Sequence, residues 1–231
     1  MTLTTKSQEI LEKIHQRGYW RVVIRPTEFK RDRLSSLKEC EETLKASVVN
    51  FRLEEYPYVT DAHINKENDW IEAVIDFESS YPEFWRFFQS GQFVHHLGCR
   101  EDYSPTFQYW PSEATKPLLL ISNTLFTTTE IFQFAARLAH HDVLLPGAEI
   151  SIKLLVAKDR VLVSQELVFL GIHRSASDVI EFTKIVSTQE LLARARELAL
   201  EAAEGIFERF NYSPPRHLLA QDQQRLLQRN L

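Results

Sequence analysis

Apolar and polar positions recur along this chain with two periods, near 3.6 and near 2, and the switches between them mark its elements. Ile10, Leu11 and Ile14 sit at helical spacing within Lys6–His15, and Gly18 stops that helix. Tyr19–Pro26 alternates, with Trp20, Val22 and Ile24 on one face and Arg21, Val23 and Arg25 on the other. This predicts a half-buried strand ended by Pro26. Ser36 and Glu39 form a capping box for a helix reaching about Ser47. Val49, Phe51 and Leu53 predict a second strand, Tyr56–Asp69 reads as a polar loop, and Ile71, Ala73, Ile75 and Phe77 predict a third strand.

The next stretch, Tyr81–Cys99, is the most apolar of the chain, with six aromatic residues among nineteen. Both of its arms are rich in strand formers and Ser90-Gly91 supplies a turn, which predicts a hairpin; a helix over Glu83–Gln89 is the rival reading. Asp102–Pro117 carries three prolines and reads as a long loop, followed by a short strand at Leu118–Ile121. Thr127 and Glu130 form a second capping box, with a helix running from there to about Asp142. Alternation returns in Ile150–Val156, a turn at Lys158–Arg160 leads into another strand, and two more are expected at Glu166–Ile172 and Val179–Val186. Ser187 and Glu190 open the strongest helix, with Leu191, Ala195, Leu198, Ala202 and Ile206 on its apolar stripe. Strands and helices come in clusters, so the expected fold class is α+β: an antiparallel or mixed sheet with a few packed helices. The expected organisation is a helical extension at 1–17, one domain at 18–213 and a tail at 214–231 that becomes helical only with a partner. Trp20, Phe84 or Trp85, Phe93, Phe134 and Leu198 are the expected core.

Length and composition change this picture little. The 231 residues are 44% hydrophobic and 26% charged, as in ordinary globular proteins. Six glycines and one methionine against fifteen phenylalanines predict a rigid, aromatic core. A net charge of −5 provides no overall basic field for nucleic acid or anionic lipid. Two distant cysteines make no disulfide framework, and no apolar run approaches the roughly 18 residues of a membrane span. Met1–Gln16 lacks the apolar centre of a signal peptide, so a cytoplasmic location without a membrane partner is expected.

Candidate chemistry is sparse. The pairs His95-His96 and His140-His141 cannot each converge on a metal, because strand neighbours face opposite ways and helix neighbours diverge by about 100°. Asp76, Glu78 and Glu83 lack the carboxylate-x-Lys companion of a metal-dependent nuclease. No Gly-rich phosphate loop or serine elbow occurs, and Cys40 and Cys99 lack the surroundings of a catalytic thiol. No catalytic residue, metal or cofactor is therefore expected. What remains is a set of arginines beside aromatics. Arg21 and Arg25 share a strand face, and Arg86 neighbours Trp85 in the hairpin. Such a set suits an acidic partner surface, a phosphate or a stacked base.

Four blocks in order, Gly18–Pro26, Glu83–Val94, Glu130–Leu138 and Arg196–Leu200, resemble the C-terminal accessory region of bacterial proteins that begin with a Schlafen/AlbA-type DNA-binding domain. The resemblance spans roughly residues 17–214. About seventeen residues precede it here, so the DNA binding of that N-terminal domain is not implied for this chain. The resemblance implies a folded accessory, sensor or scaffold module, working beside a separate effector in a regulatory or defence system. The function expected is thus non-catalytic and exerted through protein contacts. A nucleic-acid-binding accessory using Arg21, Arg25, Arg86 and Trp85 is the first alternative, and a metal-dependent hydrolase the second.

Overall fold

Seven strands form one antiparallel sheet at the centre of the computed structural model, which describes residues 4–60, 62–76, 81–104, 117–164 and 173–228. The long strands are β1 (Tyr19–Pro26), β5 (Trp70–Ile75), β6 (Glu83–Phe88), β7 (Phe93–Gly98), β9 (Gly147–Leu155) and β12 (Val179–Ser187). With the short β4 (Ile64–Glu67) they run in the order β12-β9-β1-β7-β6-β5-β4. β2 (Val49–Asn50) pairs with β3 (Glu55–Tyr56), and β8 (Leu118–Leu120), β10 (Val161–Val163) and β11 (His173–Arg174) make a third sheet. Six helices accompany these strands among the described residues: α1 (Thr5–His15), α2 (Leu37–Ser47), α3 (Arg100–Tyr103), α4 (Ile121–His140), α5 (Thr188–Glu208) and α6 (Arg216–Gln228). The fold is α+β with packed helices, and none of its described helices is long and apolar enough to cross a membrane.

Strand alternation gives the large sheet two different faces. Trp20, Val22 and Ile24 of β1, Phe93 and Leu97 of β7, Trp85 and Phe87 of β6, and Ile150, Ile152 and Leu154 of β9 join one buried cluster. Helices α2, α4 and α5 bring Leu44, Phe134 and Leu198 to the same cluster, with the Phe93 and Phe134 rings 4.8 Å apart. Of the two expected candidates at 84 and 85, Trp85 belongs to this core. Phe84 lies on the other face, in a small cluster with Ile10, Ile14 and Tyr19 under α1. That helix lies over β5, β6 and β7 and meets β9 at Leu155, while α5 packs on the other face of β9 and β12.

The hairpin reading of the aromatic block holds. β6 and β7 pair from Glu83↔Leu97 to Phe87↔Phe93, and Gly91 turns the chain with a φ of 84°. Four expectations need correction. The second strand expected through Val49, Phe51 and Leu53 is only the two-residue β2, because the chain bends after Asn50 and Leu53 takes a φ of 63°. The loop at 56–69 contains β4, whose Ile64–Glu67 segment is polar because an edge strand lies at the surface. The box at Thr127 does not start a helix: α4 begins at Ile121, and the hydroxyls of Thr128 and Thr129 donate to the Leu125 carbonyl within it. The tail needs no partner to be helical. In α6, Leu219 and Leu226 are buried, and the Gln223 amide donates to Thr129 Oγ1 at 3.1 Å and to the Arg196 carbonyl at 3.0 Å. The expected strand at 166–172 and residues 77–80, Phe77 and Glu78 among them, lie outside the described residues.

Gly18 does more than stop α1. A Cβ there would fall 1.8 Å from Arg160 Nη2. Arg160 is fully buried, and its guanidinium grips both oxygens of Asp102 at 2.9 and 2.6 Å. Asp102 in turn accepts the Gly18 N–H at 2.8 Å. This clasp ties the entry of β1 to α3 and to the turn before β10.

Candidate functional site

The four residues expected to form a binding face do not come together. Arg21 and Arg25 point outward from β1, as the alternation requires. Arg21 stands in register between His96 on β7 and Lys153 on β9, and makes no ion pair among the described residues. Arg25 donates to its register partner Glu149 at 2.8 Å. Arg86 is fully buried under α1. Its Nε donates to Glu72 Oε2 at 2.9 Å, and its guanidinium lies 3.8 Å over the Trp70 ring. Glu72 is also fully buried and accepts the Ser7 hydroxyl of α1 at 2.8 Å. Trp85 faces the opposite side of the sheet and donates its indole N–H to the Tyr58 carbonyl at 2.9 Å.

The histidines follow the strand rule. His95 points into the core and His96 outward, where its Nδ1 shares a 3.1 Å hydrogen bond with His15 Nε2 of α1. Burial, then the positive field of His15 and Arg21, pulls the His96 imidazole down to about 3, so both rings are neutral at physiological pH. No group of three or more His, Cys, Asp or Glu side chains converges to hold a metal ion among the described residues. Asp76 pairs with Lys13 at 2.5 Å, and Glu83 with His95 at 3.0 Å. Cys40 and Cys99 are buried free thiols; burial pushes Cys40 up to about 12 and Cys99 well above its ordinary range, away from the reactive thiolate.

Periodicity gave no sign of a polar network on the inner side, where the β2–β3 segment meets α4. Arg52 lies along the Glu130 carboxylate, with Nε 2.8 Å from Oε1. Tyr81 donates to Glu54 at 2.8 Å, and Arg100 pairs with Glu54 at 2.6 Å. The Tyr56 ring lies tilted against His95, with the two centroids 5.1 Å apart. Burial, reinforced by the surrounding carboxylates, holds the Tyr56 and Tyr81 phenols far above their ordinary range. Arg52 Nη1, Tyr56 Oη, His95 Nδ1, Arg100 Nε and Thr124 Oγ1 have no partner among the described residues. The neighbouring cavity, lined by Arg100, Thr124 and Thr127, measures about 10 Å³, space for a single water. The network therefore binds the β2–β3 segment, α3 and α4 together.

The open surface lies elsewhere. A groove of about 420 Å³ opens at one end of the sheet between Arg25, Thr27, Phe29, Ser90, Gln92, Glu149 and Ile185. Phe29 is 83% exposed and Ile185 67% exposed, although both are large and apolar. In the sequence, Phe29 stands alone between polar residues; only a bulky aromatic without a period-matched companion could have drawn attention to it. No protein-family model, curated protein or solved structure matches the chain.

Proposed function

We propose that this protein is a non-catalytic accessory module of the cytoplasm, a sensor or scaffold subunit that acts through protein contacts beside a separate effector. The bacterial regulatory or defence setting is what the likeness to Schlafen/AlbA-associated accessory regions implies. The observation that carries the reading is the groove flanked by Phe29 and Ile185, two bulky apolar side chains left in water at the uncovered end of the sheet. An exposed aromatic anchor rimmed by an Arg–Glu pair has the make-up of an interface centre with a polar border. The nucleic-acid alternative needed Arg86 and Trp85 beside Arg21 and Arg25. With two of the four buried and Arg25 held by Glu149, the positive surface is too small to argue for it.

The test is capture of partners on the purified full chain, followed by a binding isotherm with each captured protein. Phe29→Asp should weaken a true groove partner by roughly 30-fold, the scale of an interface hot spot. Leu53→Asp, at a residue 89% exposed in the β2–β3 segment, should leave binding unchanged. Equal affinity of wild type and Phe29→Asp for every partner eliminates the groove as the contact.

A further inference from the structure

The two edges of the large sheet are built differently. β4 is four residues long and carries Lys66 and Glu67, with Lys66 paired to Glu41 at 2.5 Å. Short length and charge are the usual means of keeping a sheet edge from pairing with another chain. β12 has nine residues, no proline and no bulge, since its register against β9 runs unbroken from Val179↔Leu155 to Ser187↔Gly147. Among the described residues nothing pairs with its other side, so a row of backbone donors and acceptors faces outward. On its solvent face stand Val179 and Ile185, 45% and 67% exposed, with Glu181 and Thr183 between them.

That order of side chains is self-complementary. Antiparallel pairing with a second β12 about a two-fold axis at Phe182 sets Val179 opposite Ile185 at both ends and Glu181 opposite Thr183 in between. Thr183 Oγ1 already donates to Glu181 within its own strand at 3.2 Å, so the same two groups are compatible across strands. An axis at Thr183 instead sets Ile185 against Glu181 and Val179 against Ser187, so that both apolar side chains face polar ones. We propose that the free edge of β12 pairs with the β12 of a second copy of this chain, in the register centred on Phe182, joining two sheets into one. This deepens the protein-contact reading by naming one partner, and rests on it. Isologous contact of this kind uses the same patch on both copies.

The interface is small, so association in the micromolar range is expected. Sedimentation equilibrium of the full chain across that range should show the mass rising from monomer toward dimer. Val179→Lys/Ile185→Lys sets lysine opposite lysine and should raise the dissociation constant at least about tenfold, with an unchanged thermal melt because both sites are exposed in the monomer. Register is read separately. Mixed Val179→Cys and Ile185→Cys chains should cross-link with a short bismaleimide far better than either chain alone; the native thiols are buried and silent. A wild type that stays monomeric, a dimer indifferent to the lysine pair, or cross-linking that is no better in the mixture overturns the proposal. A monomeric chain that still binds a partner through Phe29 would fail this inference alone; an intact β12 dimer whose partners all bind Phe29→Asp as tightly as wild type would fail the groove alone.

Discussion

Replacing Arg86 tests most directly why an arginine placed for binding is spent inside the molecule. Arg86 and Glu72 are both fully closed to water, between the sheet and α1. In Arg86→Met the Glu72 carboxylate would keep one side-chain donor, the Ser7 hydroxyl at 2.8 Å, and lose both guanidinium contacts. A buried charge stripped of its partner costs about 3–5 kcal/mol. With an m-value of about 2–3 kcal/mol/M, the urea midpoint should fall by about 1–2.5 M. Removing both charges behaves differently. Arg86→Met/Glu72→Met leaves no orphaned ion, keeps apolar atoms over Trp70, and should recover most of the loss. Tryptophan fluorescence is a suitable readout, since Trp70 lies under the guanidinium. A single variant losing less than about 1 kcal/mol, or a double variant as unstable as the sum of the two singles, would refute the reasoning.

Three further outcomes are expected. Phe134→Ala removes a ring packed fully buried against Phe93 and should cost about 3–5 kcal/mol, read as a urea midpoint shift. Gly18→Ala forces a methyl into the Arg160 guanidinium and should lower the thermal midpoint, whereas Gly205→Ala, with its nearest contact at an ordinary 3.4 Å, should be mild or stabilising; equal effects would contradict the clasp. The His96 imidazole stays neutral in the folded chain until about pH 3, while in the unfolded chain it protonates near 6.5. The unfolded state therefore binds the extra proton, and stability should decline as pH falls through that window. His96→Gln should flatten the decline between about pH 6.5 and 4, and an unaltered pH profile would exclude His96 as its source.

Elements whose burial follows a simple period were legible in the sequence. β1, α1, α2, β12 and α5 each turn one apolar stripe toward a neighbour, and Ser36 and Ser187 cap their helices as read. β4 escaped notice because this short edge strand sends only Ile64 against the core, too little to make a stripe. The start of α4 escaped because Thr127–Thr129 can bond backbone at a helix end or inside it, and only tertiary burial decides which. The site was the least legible part. Arg86 and Glu72 lie in different strands, and Ser7 completes their surroundings from α1; nothing local marks Arg86 as internal while Arg21, one step of the alternation beyond Tyr19 under α1, stays half-exposed. Arg52, Glu54, Tyr81, Arg100 and Glu130 meet only because the β2–β3 segment folds over α4.

The position of β1 in the sheet fixes an order of assembly. Both of its neighbours lie downstream: β7 at residues 93–98 and β9 at residues 147–155. During synthesis the β6–β7 hairpin, whose partners are adjacent, can close early, while β1 must wait with one side bare until β9 has emerged. Through that interval Trp20, Val22 and Ile24 have no complete layer to cover them, and β12 and α5 come later still. A nascent chain stalled before Gly147 therefore holds a sticky, half-paired sheet rather than a smaller folded unit, and the yield of native protein depends on how fast the second half follows the first.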